Sequence, residues 1–385
     1  MKPATTTGPL LVREYINKIL YGGSSGYFNS QPVISRPPTP IDFAALKGEK
    51  SYRQRLHDLY WENPYGWMTP VEIFQPTYAL GILSWIRSKL HPGQKKLQIL
   101  EIGGGLGTCG KNILDHVRDH DRDLYDSASY TLLDISEQYH RQQQVVLADH
   151  EGKCEFHLGS AADLPEFESI QGDVPTFVLA LECLDNLAHD KICDHHQIMV
   201  KPSSDSTAPW VEYRTPISDP LIAEYLEIMN TSDYFERESA LSKLQQMEQC
   251  EFLPTSAFSF LKRLTKQIPN HHLLVADFNY LPDTIPGAIN APIVAERSLE
   301  TAGDTHDHDT YLLPAGVRAD VFFPVDFQKL KYVYDYVRGE RNGQQTRVRS
   351  SREFLVQYAD YQRCRTASGY NPLLEDYVNT SILTS

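Results

Sequence analysis

Glu101, Gly103, Gly105 and Gly107 lie in one short run, LQILEIGGGLGT over residues 97–108. Residues of these types at this spacing suit the close binding of a ligand to the main chain. Glycine has no Cβ, so a turn built from it lets a ligand approach the backbone. The segment 111–117 (KNILDHV) has apolar residues at helical spacing, and the unpaired N–H groups at the start of such a helix point at the same place. A dinucleotide site would use G-x-G-x-x-G to seat a pyrophosphate there. The pattern here is E-x-G-G-G-x-G-T, and a carboxylate at Glu101 repels a pyrophosphate but suits an amino-bearing ligand. A second carboxylate, Asp134, ends the apolar run 130–134 (YTLLD) and suits a ribose diol. A third apolar run, 176–181 (TFVLAL), leads into Glu182 and Asp185. A carboxylate in that place can hold a guanidinium by a two-pronged pair.

These groups need a scaffold of strand, glycine turn and helix, followed by a strand that ends in an acid. That is the first crossing of a nucleotide-binding α/β sheet. The pair of strands resembles the S-adenosylmethionine (SAM) site of class I methyltransferases. The resemblance implies that Gly103, Gly105 and Gly107 admit the cofactor, Glu101 meets its amino-acid end and Asp134 holds its ribose. It places Thr108 and Ser136 beside the ligand and brings Asp163 to the adenine amino group; a turn cap is the other reading of Asp163. Ser136 also fits an N-cap. Methyl transfer is an in-line displacement that needs the nucleophile held at roughly 3–3.5 Å. Glu182 is the first candidate to hold it and Asp185 the second. The alternative is that Asp185 caps the following helix and Glu182 binds only backbone.

Further motifs extend the resemblance. Residues 10–20 (LLVREYINKIL) read as a helix and lead to Gly26-Tyr27-Phe28, a turn closed by aromatics. Thr69, Glu72, Ile73 and Gln75 match a T-A-P-E-[IV]-S-Q signature, and Ala180, Glu182, Asp185 and Leu187 match A-N-E-x-x-D-A-L-P. Residues 272–278 (HLLVADF) are similar to a strand read as L-x-x-D-Y-G, and 320–327 (DVFFPVDF) to a late V-D-F pattern. In this order the motifs resemble the MidA-type methyltransferases, whose mitochondrial members are complex I assembly factors.

The resemblance implies a Rossmann-like methyltransferase core at 96–217 and 263–385. It adds an N-terminal helical extension over 1–95 that packs on the core and an inserted helical cap over 218–262. Thr69, Glu72 and Gln75 would shape the site or meet substrate. It also implies SAM as cofactor and protein arginine N-methylation in the mitochondrial matrix, with an assembly intermediate as protein partner. Leu181, Ala188 and Asn279 depart from the pattern, so a SAM-binding scaffold with reduced catalysis is the second reading. Methylation of RNA or a small molecule comes third.

The chain of 385 residues has 41% hydrophobic and 22% charged residues, as expected of a globular protein. Its net charge of −14 argues against broad nucleic-acid binding. No apolar run reaches the ~20 residues of a membrane span. No secretory or Arg-rich leader is visible, so a cytoplasmic location is the alternative to a mitochondrial one. The six cysteines form no C-x-x-C pair, and free thiols are expected in a chain this long. Asp194-His195-His196 and His306-Asp307-His308-Asp309 bring ligand types together, but without the spacing and second shell of a metal site. No metal is expected.

Overall fold

Seven segments, most of them runs of leucine, isoleucine, valine and aromatics, pair into the central sheet: β1 (Gln98–Ile102), β2 (Ser129–Asp134), β3 (Cys154–Leu158), β4 (Thr176–Leu181), β5 (His271–Phe278), β6 (Arg347–Ser350) and β7 (Thr380–Thr384). The computed structural model describes residues 8–385 except 31, 65, 91–95, 171, 205–208, 232–249, 299, 300, 302, 303, 315 and 340–344. The sheet order is β6-β7-β5-β4-β1-β2-β3, and β7 runs antiparallel to both its neighbours. β1 and β4 are buried at every residue, which is why they read as continuous apolar runs rather than alternating ones.

Alternation still sorts their side chains. Phe177 and Leu179 pack with Trp85 and Ile113 on one face; Val178 and Ala180 pack with Phe258 and Val333 on the other. The helix α1 (Val12–Tyr21) packs off this sheet, against Ile198 and Val200; those on its faces include α2 (Thr77–Lys89), α3 (Thr108–His120), α4 (Glu137–Val146), α5 (Pro220–Asn230), α6 (Thr255–Gln267), α7 (Phe327–Arg338) and α8 (Ser351–Tyr358). After β1 the chain moves outward to β2 and β3, then returns to place β4 on the other side of β1. The order of strands reverses there, so a crevice opens at the carboxyl ends of β1 and β4.

Between β4 and β5 the chain builds a second sheet. Strands Asp190–Cys193, His196–Pro202, Trp210–Pro216 and Cys250–Leu253 are joined by Leu10–Leu11 and Ala288–Ile289. The N-terminal helix therefore begins at Val12, because Leu10 and Leu11 pair with Val200 and Met199. Arg13 ties this sheet to α5 by reaching Asp190 and, at 2.6 Å, Asp219. Within 218–262 the described residues hold α5, the strand Cys250–Leu253 and the start of α6. The rest of that expected cap, 232–249, lies outside the described residues. The strand owes its form to pairing with Asp190–Cys193, a partner that no local pattern announces.

The expectation of free thiols fails at two positions. Cys193 and Cys250 are cross-strand partners and form a disulfide. Their separation of 57 residues hid this in the sequence. Cys109, Cys154, Cys183 and Cys364 are free. No helix among the described residues is long and apolar enough to cross a membrane.

Candidate functional site

The crevice at the ends of β1, β2 and β4 spans about 720 Å³ of space that opens to solvent. Gly103 and Gly105 form its floor, and Asp134, Ser136 and Glu182 stand along it. Tyr21, Phe28 and Ile34 of the N-terminal segment cover it. Gly103, Gly105 and Gly107 have φ of 67°, 50° and 81°, a region that side chains disfavour. A Cβ at Gly103 would meet Cys183 Sγ at 3.0 Å, and one at Gly105 would meet Ile34 Cδ1 at 3.1 Å. Gly107 is the N-cap residue of α3 and packs against Gln143, outside the crevice lining.

Asp134 both lines the crevice and fastens it. One oxygen accepts from the Ser136 N–H at 2.9 Å, and the other from Gln143 Nε2 at 2.9 Å. The backbone N–H groups of Gly105 and Ile135 also face it. Gln143 in turn donates to the Gly105 carbonyl at 3.0 Å, so α4, β2 and the glycine turn are locked together. Burial pushes the Asp134 carboxyl up to about 6, against the pull of these donors. Ser136 occupies the N-cap position of α4 but does not cap it; its hydroxyl donates to the Phe28 carbonyl at 3.1 Å.

Several expected residues lie elsewhere. Glu101 does not line the crevice; it is buried and accepts from the Tyr130 hydroxyl at 2.9 Å. Burial drives its carboxyl up to about 8. A β-strand sends successive side chains to opposite faces, and Glu101 falls on the face that holds Tyr130. Thr108 donates to Glu72 at 2.9 Å, and Gln75 donates to the Glu72 carbonyl at 3.1 Å. Thr69 is the N-cap residue of the short helix Pro70–Ile73. The Thr108–Glu72 bond braces the start of α3, and none of the four residues lines the crevice. Asp163 is 79% exposed and, among the described residues, pairs only with Arg263, at 3.4 Å. Its neighbours Ala161 and Ala162 line the crevice instead.

The turn after β4 is held by a residue that sequence reading did not place at the site. One oxygen of Asp277, at the end of β5, accepts from the backbone N–H groups of Cys183, Leu184 and Asp185 at 3.3, 2.9 and 3.2 Å. Its other oxygen accepts from the Phe278 N–H at 2.8 Å. This puts Glu182, at φ 48°, at the point where two cavities meet. Glu182 is half-buried, and its carboxyl has no hydrogen-bond partner among the described residues. Enclosure, with Asp277 nearby, raises it to about 8. Asp185 is buried outside the crevice lining, and its oxygen accepts from the Asn186 N–H at 2.9 Å. Burial beside Asp277 and Asp320 drives it well above the usual carboxylate range.

Other crevice residues also escaped sequence reading. Tyr139 accepts from the Val33 and Ile34 N–H groups at 2.9 and 2.8 Å and pins the N-terminal segment over the ligand space. Tyr21 stacks on Phe28 at 5.3 Å and donates to the Asn186 carbonyl at 3.1 Å. The GYF resemblance was the one signal that pointed towards this cover. No group of three or more His, Cys, Asp or Glu among the described residues could hold a metal ion.

The profile of a family of S-adenosyl-L-methionine-dependent methyltransferases, Methyltransf_28, matches residues 79–342, more than half of the chain. Among solved structures, a COG1565 superfamily member of Burkholderia thailandensis, bound to S-adenosyl-homocysteine, superposes with a TM-score of 0.60 at 11% identity. The match covers 98% of this chain and 87% of that one. A native COG1565 superfamily structure from the same organism gives a TM-score of 0.57 at 11% identity, with the same coverage. No curated protein matches the sequence.

Proposed function

The chain belongs to this family of SAM-dependent methyltransferases, and we propose that it methylates an arginine guanidinium on a protein. SAM supplies a methyl group on a sulfonium. The crevice residues fit such a donor. Two glycines open the backbone beneath it, Asp134 stands where a ribose would lie, and Tyr21, Phe28 and Ile34 exclude water from above.

One observation carries the choice of acceptor: the unpartnered carboxyl of Glu182 at the inner end of the crevice. Left empty, this carboxyl is held largely neutral below about pH 8. An arriving guanidinium restores the charged form, because an opposite charge lowers a carboxyl pKa. Glu182 then orients the nitrogen by a charge-assisted pair. As the nitrogen–carbon bond forms and the carbon–sulfur bond breaks, one proton is released, and Glu182 is the base beside it. Asp185 does not reach the acceptor in this reading; it packs behind the turn.

The resemblance to MidA-type proteins supports a mitochondrial assembly intermediate as the partner. Incubation with labelled SAM and a mitochondrial extract tests the proposal. The expected result is one labelled protein whose label is released as methylarginine. Donor binding with no labelled protein would overturn it.

A catalytically reduced scaffold is the second reading, favoured by Leu181 and Asn279. Leu181 packs in the core where the family pattern has asparagine, and Asn279 donates to Ser381 at 2.7 Å where it has glycine. If Glu182→Ala cells match the wild type while loss of the protein harms them, this reading replaces the first.

A further inference from the structure

The strand β6 (Arg347–Ser350) forms one edge of the central sheet and, among the described residues, pairs only with β7. Its side chains sort by face. Val348 and its cross-strand partner Leu383 pack into the core on one side. Arg347 and Arg349 stand opposite Thr384 and Ile382 on the other side, where Ile382 shares a core with Trp85 and Ile86 of α2. Helix α2 ends on that side with Lys89 in its last turn. One face of the sheet edge therefore carries three cations from two elements.

Lys89, Arg347 and Arg349 make no ion pair or hydrogen bond among the described residues, and Nη1 of Arg349 is enclosed without a partner. Acids are not scarce. The chain has 50 acidic side chains against 36 basic ones, and Arg53, Arg118 and Arg141 each pair with a nearby carboxylate. The acid beside Arg349 is Glu353, whose carboxylate accepts from the Ser350 N–H and hydroxyl, both at 2.9 Å. Burial, with Arg347, Arg349 and Arg338 nearby, pulls the Lys89 ammonium below its usual range. Cations do guard exposed strand edges against self-pairing. A guard needs neither an enclosed guanidinium nitrogen nor a further cation from a helix. Like charges gathered without a counter-ion call for an anionic partner.

We propose that this edge docks an extended acidic segment of a partner protein, which adds to β6 as a further strand and sets alternate carboxylates against Arg347 and Arg349. The free side of an edge strand presents N–H and C=O groups to such a segment. Residues i and i+2 of a strand lie on one face roughly 7 Å apart, so Arg347 and Arg349 match acids placed at every second position. Arginine forks take carboxylates by two-pronged pairs, and Lys89 adds a point charge on the same face. A nucleic acid has no amide backbone to pair with the edge, and so few cations neutralise few phosphates. The docking strip stands apart from the donor crevice and does not depend on which atom is methylated.

The test is fluorescence anisotropy of the full chain with a short labelled peptide that alternates glutamate with threonine. The peptide should bind at low salt and more weakly at physiological salt, because exposed charges are screened. Arg347→Glu combined with Arg349→Glu should weaken it about ten-fold or more, through two lost ion pairs and like-charge repulsion. S-adenosylhomocysteine affinity should be unchanged in that variant, which shows that it is folded. Lys89→Ala should weaken the peptide by a smaller factor. A peptide with the same glutamates in adjacent positions, and one methylated at alternate backbone nitrogens, should each bind more weakly than the first. Failure of the alternating peptide to bind, or binding that the arginine changes leave intact, overturns the proposal. Equal binding of the N-methylated peptide overturns it as well, since no strand is then added. Tighter, arginine-dependent binding of a single-stranded RNA also overturns it and makes the edge a site for polyanions.

Discussion

In the donor crevice the Asp134 carboxylate faces four N–H donors, from Gly105, Ile135, Ser136 and Gln143. At the inner end of the same crevice, the Glu182 carboxyl has no hydrogen-bond partner among the described residues. The first region is complete before its ligand arrives. Its shape is set by backbone conformation, and its carboxylate is already spent on holding the glycine turn to β2. The second is left without a protein partner among the described residues and open to an incoming group. The difference teaches where selectivity lies. A preformed crevice can bind the donor whether or not an acceptor is present, whereas in the proposed reaction Glu182 favours an acceptor that brings hydrogen-bond donors to its carboxylate.

The comparison can be broken on either side. Gly105→Val should act most strongly. It forces a β-branched residue into φ 50° and drives a Cβ to 3.1 Å from Ile34. S-adenosylhomocysteine affinity should fall on the order of 100-fold, given ~1–3 kcal/mol of backbone strain plus the steric block. Retained affinity in calorimetry would show that the turn adapts.

Glu182→Gln removes the charge from the inner end of the crevice while keeping its shape. Methyl transfer should fall by about 10²-fold, the lower end of the range for loss of a positioned acid–base group, while donor affinity stays within about two-fold. A parallel loss of donor binding would erase the distinction between the two regions.

The pH profile sharpens the same contrast. Glu182 is pushed up to about 8 in the empty site, so kcat/KM, which reports the free enzyme, should rise with pH and level off near that value. In Glu182→Gln this rise should vanish. Stability should run in the opposite direction. Glu101 is raised to about 8 by burial, so the folded chain keeps its proton where the unfolded chain has lost it. The stability this gives is fully present below the ordinary carboxyl range and is lost as pH rises towards 8. Thermal melting should show a fall from pH 5 to pH 8, and Glu101→Gln should flatten it.

The smallest effect is expected at Asp163. It is largely exposed and paired only with Arg263, and such surface pairs are worth ~0–1 kcal/mol. Asp163→Ala should therefore leave donor affinity unchanged within error. A ten-fold loss would return this residue to the adenine site.

The sequence alone determined the frame of the donor side: the sheet, the glycine turn and the end of β4. Glycines at 103, 105 and 107 are required by positive φ, and runs such as 97–102 and 176–181 must be buried strands, so local chemistry was enough to predict the sheet and the crevice. It also fixed Glu182 at the end of β4, where the rule for α/β crevices places a functional group. Tertiary structure alone decided which face each acid takes. Glu101 is spent on Tyr130 and Asp185 lies behind the turn, while Asp277, from a strand far along the chain, sets the position of Glu182. It also decided the Cys193–Cys250 pairing and brought Lys89 to the face of β6 that carries Arg347 and Arg349. These are contacts between segments far apart in the chain. Their energies depend on burial and on partners that local residue spacing does not encode.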